Sequence, residues 1–322
     1  MSQTPHLRAV PQPAWAAVRV LSVVGPTAVG KTALAEELAV QVGGEIVSAD
    51  SMQVYCGMDI GTAKPPAEER RVAYHCIDVA EPGEPFSAAR YQSLARAAIA
   101  DIEGRGALPI VCGGTGLYVR AALDDMRFAP PGDPATLSRR RYEDLAAADG
   151  AAALHAALAQ RDPDSAALLH PNNVRRVVRA LEMLDEGVSY ADQHSGFANR
   201  TSMFDTRFLG LTMDRSLLYE RIEARVDAML AAGLVEEVEA LVGAGLADAL
   251  TAMQAIGYKE LVPVVRGQAD LADAVADIKT SSRRYAKRQL SWFRADSRVH
   301  WIDVTGMTVA EGTMAALGAL DW

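Results

Sequence analysis

The chain has 322 residues, is 50% hydrophobic and 23% charged, and carries a formal net charge of −9. That length and composition allow one large or two modest domains with a sizeable core, and the acid excess argues against a non-specific polyanion coat. Three cysteines, Cys56, Cys76 and Cys112, lack metal-ligand spacing and read as reduced thiols of a cytoplasmic protein. No apolar run reaches spanning length, so no membrane association is expected.

Residues 1–17 read as a loose tail. An apolar run, Val18 to Val24, then meets Gly25-Pro26-Thr27-Ala28-Val29-Gly30-Lys31-Thr32 and an Ala/Leu/Glu-rich helical segment. Strand, GxxxxGKT loop and helix together make a phosphate-binding P-loop, the motif of ATP-binding and other nucleotide-binding proteins. Gly25 and Gly30 let backbone N–H groups turn toward an anion, and the helix adds the positive end of its dipole. Lys31 reaches a terminal phosphate, and the Thr32 hydroxyl is placed to hold Mg²⁺. A diphosphate or triphosphate is the expected ligand.

Gly44 to Ser51 is a short apolar run ending in Asp50 and Ser51. Strand carboxyl ends line the ligand crevice of open α/β sheets, so Asp50 belongs near the P-loop. Residues 52–66 hold two glycines and two prolines and read as ordered loop. Tyr74 to Val79 predicts a strand, with His75 unpaired. Phe86 to Ile102 predicts a helix. Leu108 to Cys112 predicts a buried strand that ends in a second glycine loop, Gly113 to Gly116, with Thr115 as a candidate ligand contact. This strand lacks the terminal Asp that ATP-hydrolysing P-loop proteins use for Mg²⁺, which argues against a kinase or ATPase.

Residues 125–202 read as an all-helical insertion, bounded by Pro130-Pro131-Gly132 and Gly196 to Ser202. Within it Asn173 caps a helix whose stripe is Val174, Val177, Val178, Leu181 and Leu184. Arg175, Arg176 and Arg179 lie on another face, and Arg139, Arg140 and Arg141 add positive charge. Residues 18–124 and 203–322 form the core. There Arg207 to Thr212 predicts a strand, and Leu217 to Leu241 one long amphipathic segment with Arg221 and Arg225 four apart. Met253 to Glu260 separates two helices. The last helix spans Ala272 to Arg294, with Ile278, Tyr285 and Trp292 as a buried seam. Lys279, Arg283, Arg284, Lys287, Arg288 and Arg294 give it a basic face interleaved with aromatics, the footprint of a nucleic-acid backbone. A final strand is expected at His300 to Val304. The expected fold class is α/β: a P-loop NTPase-like core with a parallel sheet, plus the all-helical insertion domain.

One reaction uses a diphosphate loop, a strand-end carboxylate and a basic surface without a second metal-binding Asp. It is alkylation of a nucleobase amine by an alkyl diphosphate. Charge building on the leaving diphosphate would be stabilised by Lys31, the loop amides and Mg²⁺ on Thr32. Asp50 would take the proton from the amine. The other readings are an isopentenyltransferase acting on free adenine nucleotides and a small-molecule P-loop kinase.

Val24 to Thr32, Ser48 to Tyr55 and Gly57 to Pro65 resemble the signature of bacterial tRNA dimethylallyltransferases. Gly113 to Tyr118, Arg179 to Glu182, Gly257-Tyr258 and Lys287 to Arg294 follow in family order. Cys56, where a basic residue is common, Gly116 and Phe293 depart from the pattern. The resemblance implies transfer from dimethylallyl diphosphate to the exocyclic amine of the adenosine 3′ of the anticodon, in tRNAs reading codons that begin with U. It also implies Mg²⁺, no ATP hydrolysis, a cytoplasmic monomer, and an insertion that grips the tRNA anticodon stem-loop.

Carried onto this chain, the resemblance puts Gly25, Pro26, Thr27, Ala28, Val29, Gly30, Lys31, Thr32 and Arg225 (or Arg221) on the diphosphate, with Thr32 on the metal. Asp50, Lys31 and Thr115 carry the chemistry. tRNA contacts fall on Asp50, Ser51, Met52, Gln53, Thr115, Arg139, Arg175, Arg176, Val177, Val178 and Arg179. They continue with Gln254, Ala255, Ile256, Gly257, Tyr258 and Lys259, then Lys287, Arg288, Gln289, Leu290, Ser291, Trp292, Phe293 and Arg294.

Overall fold

A computed structural model describes residues 20–128, 137–198 and 200–320. The expected tail at 1–17, the first two residues of the opening apolar run and the Pro130-Pro131-Gly132 boundary lie outside them. The chain divides into two compact units. One is built from residues up to Phe86, Tyr91–Leu123 and the chain from Phe204 on; the other from Ser87–Arg90 and Asp124–Met203.

The first unit opens with β1 (Val20–Val24), α1 (Lys31–Val42), β2 (Gly44–Ser48), β3 (Tyr74–His75), α2 (Ala88–Gly104), whose first residues belong to the other unit, β4 (Leu108–Gly113) and α3 (Gly116–Leu123). The second unit holds α4 (Leu137–Arg161), α5 (Pro163–Leu168), α6 (Val174–Asp185) and α7 (Tyr190–Ala198). The first unit resumes with β5 (Thr206–Thr212), α8 (Arg215–Ala231), α9 (Leu234–Gly243), α10 (Tyr258–Val265), α11 (Leu271–Arg294), β6 (Val299–Asp303) and α12 (Val309–Leu320).

The six strands form one sheet in the order β3-β2-β4-β1-β5-β6, with every pair parallel. This is the expected α/β core with a P-loop NTPase-like strand–loop–helix start. All five residues of β1 are buried, as a central parallel strand covered on both faces requires. Leu21, Val23, Ile46, Leu209 and Leu211 of the sheet pack against Leu34 and Leu38 of α1, Leu218 and Ile222 of α8, and Leu320 of α12. Parallel strands put their carboxyl ends on one edge. The loops after β1, β2 and β4 therefore meet there.

The second unit has its own core. Tyr142, Leu154 and Leu158 of α4 pack on Val177, Val178 and Leu181 of α6. Asn173 sits at the cap position of α6 but makes no side-chain cap hydrogen bond, which corrects the capping expectation.

Other expectations are also corrected. The strand expected over 74–79 stops at His75, because Cys76 and Asp78 take positive φ values of 58° and 54°, outside the extended region. Two helices replace the single segment over 217–241; the break falls at Gly233, at φ 99°. α11 is followed by β6 and one more helix, α12, whose mostly small apolar residues gave no clear stripe. Trp292 is 44% exposed, so the buried line of α11 runs instead through Ala274, Ile278, Ala286, Gln289 and Phe293.

His75 is paired, contrary to expectation. Its Nε2 lies 2.7 Å from Glu45 Oε2, on the neighbouring strand β2, and Arg105 also binds Glu45. Arg105 first, then His75, hold the Glu45 carboxyl down at about 2, against the opposing effect of burial. An unfolded Glu titrates near ~4.3. The stabilisation is therefore fully present above that pH and is lost as the pH falls through about 2. Glu45→Gln should lower the thermal midpoint at neutral pH, and its gap to the wild type should narrow as the pH drops from 5 toward 2. A gap that stays constant across that range would count against the pairing.

Candidate functional site

The loop after β1 is held in a conformation that few residues adopt unaided. Gly25 and Gly30 take φ values of 144° and 100°, and Ala28, a non-glycine, takes 64°. A Cβ on Gly25 would lie 2.6 Å from the Leu211 carbonyl oxygen of β5, so no larger residue fits. The amides of Ala28, Val29, Gly30, Lys31 and Thr32 have no hydrogen-bond partner among the described residues. They are open N–H groups at a helix N-terminus, the arrangement that binds phosphate.

Two cations stand over this loop. Lys31 Nζ donates to the Pro26 carbonyl at 2.6 Å, and Arg225 Nη2 to the Thr62 carbonyl at 3.3 Å. Burial pushes the Lys31 ammonium down to about 8; Cys112 and Asp50 oppose this and Arg225 adds to it. Burial also lowers Arg225, opposed by Asp50. Neither side chain forms an ion pair with a carboxylate among the described residues. Desolvated cations without counter-charge favour an incoming anion. Arg221 is also near, with a guanidinium nitrogen 3.9 Å from where a Cβ on Gly30 would stand.

Asp50 follows β2 at the same edge. Its Oδ1 accepts from the Met52 and Gln53 amides at 2.9 and 3.4 Å, which fixes the carboxylate, while Oδ2 makes no hydrogen bond among the described residues. Asp50 thus caps its own turn and still offers an oxygen to a ligand. Thr115, from the loop after β4, accepts from the Ser51 amide at 3.1 Å and so ties the two loops together. Gln53 reaches the Thr62 carbonyl at 3.3 Å.

Two cavities adjoin here. The smaller, about 70 Å³, is lined by Lys31, Thr32, Gln53, Cys112, Gly114 and Gln289. The larger, about 230 Å³, is walled by Ile222, Val226, Met229 and Ile278, with Met52, Gln254, Ile256, Lys259 and Arg288 among its lining. Thr27, Asp50, Thr62, Arg225 and Tyr285 line both, so the carboxylate stands where an anion compartment meets a mostly apolar one. The Cys112 thiol is pushed up to about 12 by burial and stays neutral. The Thr32 hydroxyl is exposed and makes no hydrogen bond among the described residues. Among the described residues no group of three His, Cys, Asp or Glu side chains could hold a metal alone. One free hydroxyl beside an anion compartment suits Mg²⁺, which keeps waters and takes phosphate oxygens as ligands.

The expected RNA-contact residues divide. On α11, Lys287, Arg288 and Arg294 are exposed and form no ion pair among the described residues. Lys279 is instead bound to Asp227 at 2.7 Å, and Arg283 to Glu223. Gln289 and Phe293 are buried, and Leu290 packs on the core. Ser291 is exposed, its hydroxyl donating to the Lys287 carbonyl at 3.0 Å. Tyr258 is fully buried, and its hydroxyl donates to Glu237 at 2.5 Å; Ala255 is buried at the cavity wall.

In the second unit Arg175 and Arg176 are exposed, whereas Arg139 and Arg179 share the buried Glu182 at 3.5 and 3.8 Å. Val177 and Val178 are a correction: 0% and 1% exposed, they build that unit's core and present nothing to RNA.

Glu237 was missed by sequence reasoning. From α9 its carboxylate accepts the amides of Asp59, Ile60 and Gly61 at 3.0, 2.8 and 3.2 Å, and it thereby shapes the turn that carries Thr62 to both cavities. A lone Glu in a helix of several acids carries no local signal of this.

Residues 53–296 match the family model described as IPP transferase, and residues 18–75 one described as isopentenyl transferase. The chain is 52% identical over 290 residues to a tRNA dimethylallyltransferase of Geobacillus thermodenitrificans, covering 89% of this chain and 91% of the relative. The corresponding protein of Bacillus subtilis is 48% identical over 288 residues, covering 89% and 91%. Among solved structures, a full-length tRNA isopentenylpyrophosphate transferase of Bacillus halodurans aligns with a TM-score of 0.69 at 42% identity, covering 94% of this chain and 95% of its own. A eukaryotic dimethylallyltransferase acting on tRNA aligns with a TM-score of 0.75 at 30% identity, covering 89% and 74%.

The depressed Lys31 gives the site a pH signature. A bound anion favours the protonated lysine, so affinity is full below its free value and falls as the pH rises through about 8. Calorimetric titration with inorganic diphosphate should show this decline, and Lys31→Met should bind weakly with no added loss in that window. An equal pH dependence in both proteins would remove Lys31 from the anion site.

Proposed function

The chain belongs to the tRNA dimethylallyltransferase family, and we infer that it moves a dimethylallyl group from dimethylallyl diphosphate onto tRNA. Its acceptor is the exocyclic amine of the adenosine 3′ of the anticodon, in tRNAs reading codons that begin with U. The observation that carries this reading is the fixed carboxylate of Asp50 between an anion compartment and a mostly apolar one.

In the reaction the bond from the allylic carbon to the diphosphate oxygen breaks, and the amine nitrogen forms the new bond to that carbon. The amine's proton goes to Asp50 Oδ2, and diphosphate leaves. Lys31, Arg225 and the open amides from Ala28 to Thr32 take up the negative charge that develops on the leaving group. Asp50 acts as a general base whose position is set by two backbone amides. Thr115 holds the turn after Asp50 through the Ser51 amide. Thr32 would hold a Mg²⁺ shared with the diphosphate, and that ion would supply further charge neutralisation to the leaving group.

The apolar wall of Ile222, Val226 and Ile278 suits an isoprenoid tail and keeps water from the activated carbon. The adenine must leave its stack to reach Asp50, which is possible in a single-stranded loop. Lys287, Arg288, Arg294, Arg175 and Arg176 are the cations offered to the RNA backbone. The relatives' names favour tRNA over a free nucleotide as acceptor, and favour alkyl transfer over phosphoryl transfer. The same reading makes the enzyme cytoplasmic and monomeric.

Incubation with unmodified tRNA, Mg²⁺ and labelled dimethylallyl diphosphate should place label on one adenosine per tRNA. Label passing from γ-labelled ATP to an acceptor, with none on RNA, would overturn the reading. Asp50→Ala should abolish transfer while retaining tRNA affinity within a few-fold; near-normal turnover would exclude Asp50 as the base. Lys287→Ala with Arg288→Ala should weaken tRNA binding and lower the salt slope of log K by about one to two. An unaltered slope would place that helix off the RNA path.

A further inference from the structure

Helix α11 has two faces with different work. Its exposed side presents Lys287, Arg288 and Arg294, with Arg288 also lining the larger cavity. Its inner face lies against both glycine loops. Gln289 points inward and is 5% exposed. Its Oε1 accepts the Thr27 N–H at 2.8 Å, and its Nε2 donates to the Gly114 carbonyl at 3.0 Å. Both ends of the amide are therefore occupied by loop backbone, and the side chain is not placed to read RNA. The fit depends on the glycine beneath it, since a Cβ on Gly114 would stand 2.1 Å from Gln289 Nε2.

The choice of amide is informative. From Thr27 to Thr32, only the Thr27 N–H has a protein partner among the described residues. The next five make no hydrogen bond among the described residues. Gln289 thus braces the loop at its entrance without competing for the groups that bind phosphate. A brace is needed because Ala28 sits at φ 64°, a conformation strained for a residue with a Cβ that persists only when its surroundings impose it. Tyr285, one turn earlier on the same helix, lines both cavities. Through Gln289 α11 touches the loops that follow β1 and β4.

We propose that Gln289 is a positioning residue that holds the phosphate loop in its anion-binding form from the helix that faces the RNA, so that tRNA and dimethylallyl diphosphate strengthen each other's binding through this one side chain. The proposal rests on the assignment of the exposed side of α11 to tRNA. RNA held by Lys287, Arg288 and Arg294 steadies α11, the steadied helix fixes Gln289, and Gln289 fixes the loop. Linkage makes the effect reciprocal.

The test uses Gln289→Met, which keeps length and volume but loses both hydrogen bonds. Gly114→Ala serves as a second variant that displaces the amide without removing it. Dimethylallyl diphosphate affinity is measured by calorimetry with and without an unmodified tRNA anticodon stem-loop, alongside steady-state KM values and thermal midpoints. In the wild type the stem-loop should tighten diphosphate binding several-fold. In each folded variant diphosphate affinity should fall about tenfold, KM for the diphosphate should rise in step, tRNA affinity should stay within about twofold, and the tightening by the stem-loop should vanish.

Unchanged diphosphate affinity in a folded variant would overturn the proposal. So would a loss confined to tRNA affinity, which would make Gln289 an RNA contact, or tightening that persists in the variants. Failure of the functional reading looks different: the wild-type protein would then leave no dimethylallyl group on tRNA.

Discussion

Everything at the site depends on positive charge that the protein does not neutralise. Lys31 and Arg225 are both desolvated, and neither has a carboxylate bound to it among the described residues. Five consecutive backbone N–H groups beside them are also unpaired among the described residues. Such a cluster costs stability when empty and is completed by a polyanion. A diphosphate would satisfy the amides, restore the lysine's proton affinity and supply the missing counter-charge at once. Its binding energy is concentrated on the part of the substrate that leaves, where charge grows as the carbon–oxygen bond breaks. That placement suits alkyl transfer better than retention of an intact nucleotide.

The sheet explains why these groups meet. Because every strand pair is parallel, the loops after β1, β2 and β4 open on one edge. The first brings the amides and Lys31, the second Asp50, the third Thr115. Helices packed over that edge then add what the loops lack. α8 brings Arg225 and an apolar wall, and α9 brings Glu237 to shape the turn before Thr62. α11 brings Tyr285 and Gln289. The acidic partners on α8 also sort the cations of α11. Glu223 and Asp227 take Arg283 and Lys279, which leaves Arg284, Lys287, Arg288 and Arg294 exposed and without an ion pair among the described residues. An acidic chain can thus present a local basic face without being a general nucleic-acid binder.

What the sequence made legible is local. The strand, loop and helix around Gly25 to Thr32 span adjacent residues, so spacing alone identifies them. β4 and its glycine loop were readable for the same reason, as was the all-helical character of α4 to α7. What stayed hidden depends on distant pairing. Glu237 acts on Asp59, 178 residues away, and Gln289 on Thr27, 262 residues away. His75 was read as unpaired because Glu45 lies on a neighbouring strand and not on a neighbouring residue. Heptad spacing on α11 misled in the same way. Trp292 falls on the seven-residue line, yet the helix is buried along Ala286, Gln289 and Phe293, because what it packs against decides which arc is covered. Motif matching likewise gave Val177 and Val178 an RNA role by adjacency to arginines, although a helix turns adjacent residues to different faces.

On the proposed reading, the motif around Gln289 serves two ligands. In the stretch Lys287-Arg288-Gln289-Leu290-Ser291-Trp292-Phe293-Arg294, the first two residues and the last are exposed cations, while Gln289 and Phe293 are buried. A helix turns each residue about 100° from the one before it, so a short run can offer cations on one side and reach a phosphate loop from another. The inward amide is a poor choice for packing alone. A buried amide must satisfy donor and acceptor together, and an apolar residue of the same size would fill the space without that demand. Its two bonds go to the backbone of the two loops that bracket the reacting groups. The constraint it imposes is therefore geometric. It fixes the distance between the diphosphate cradle and the turn that carries Thr115, and with it the reach from leaving group to acceptor on which an in-line displacement depends.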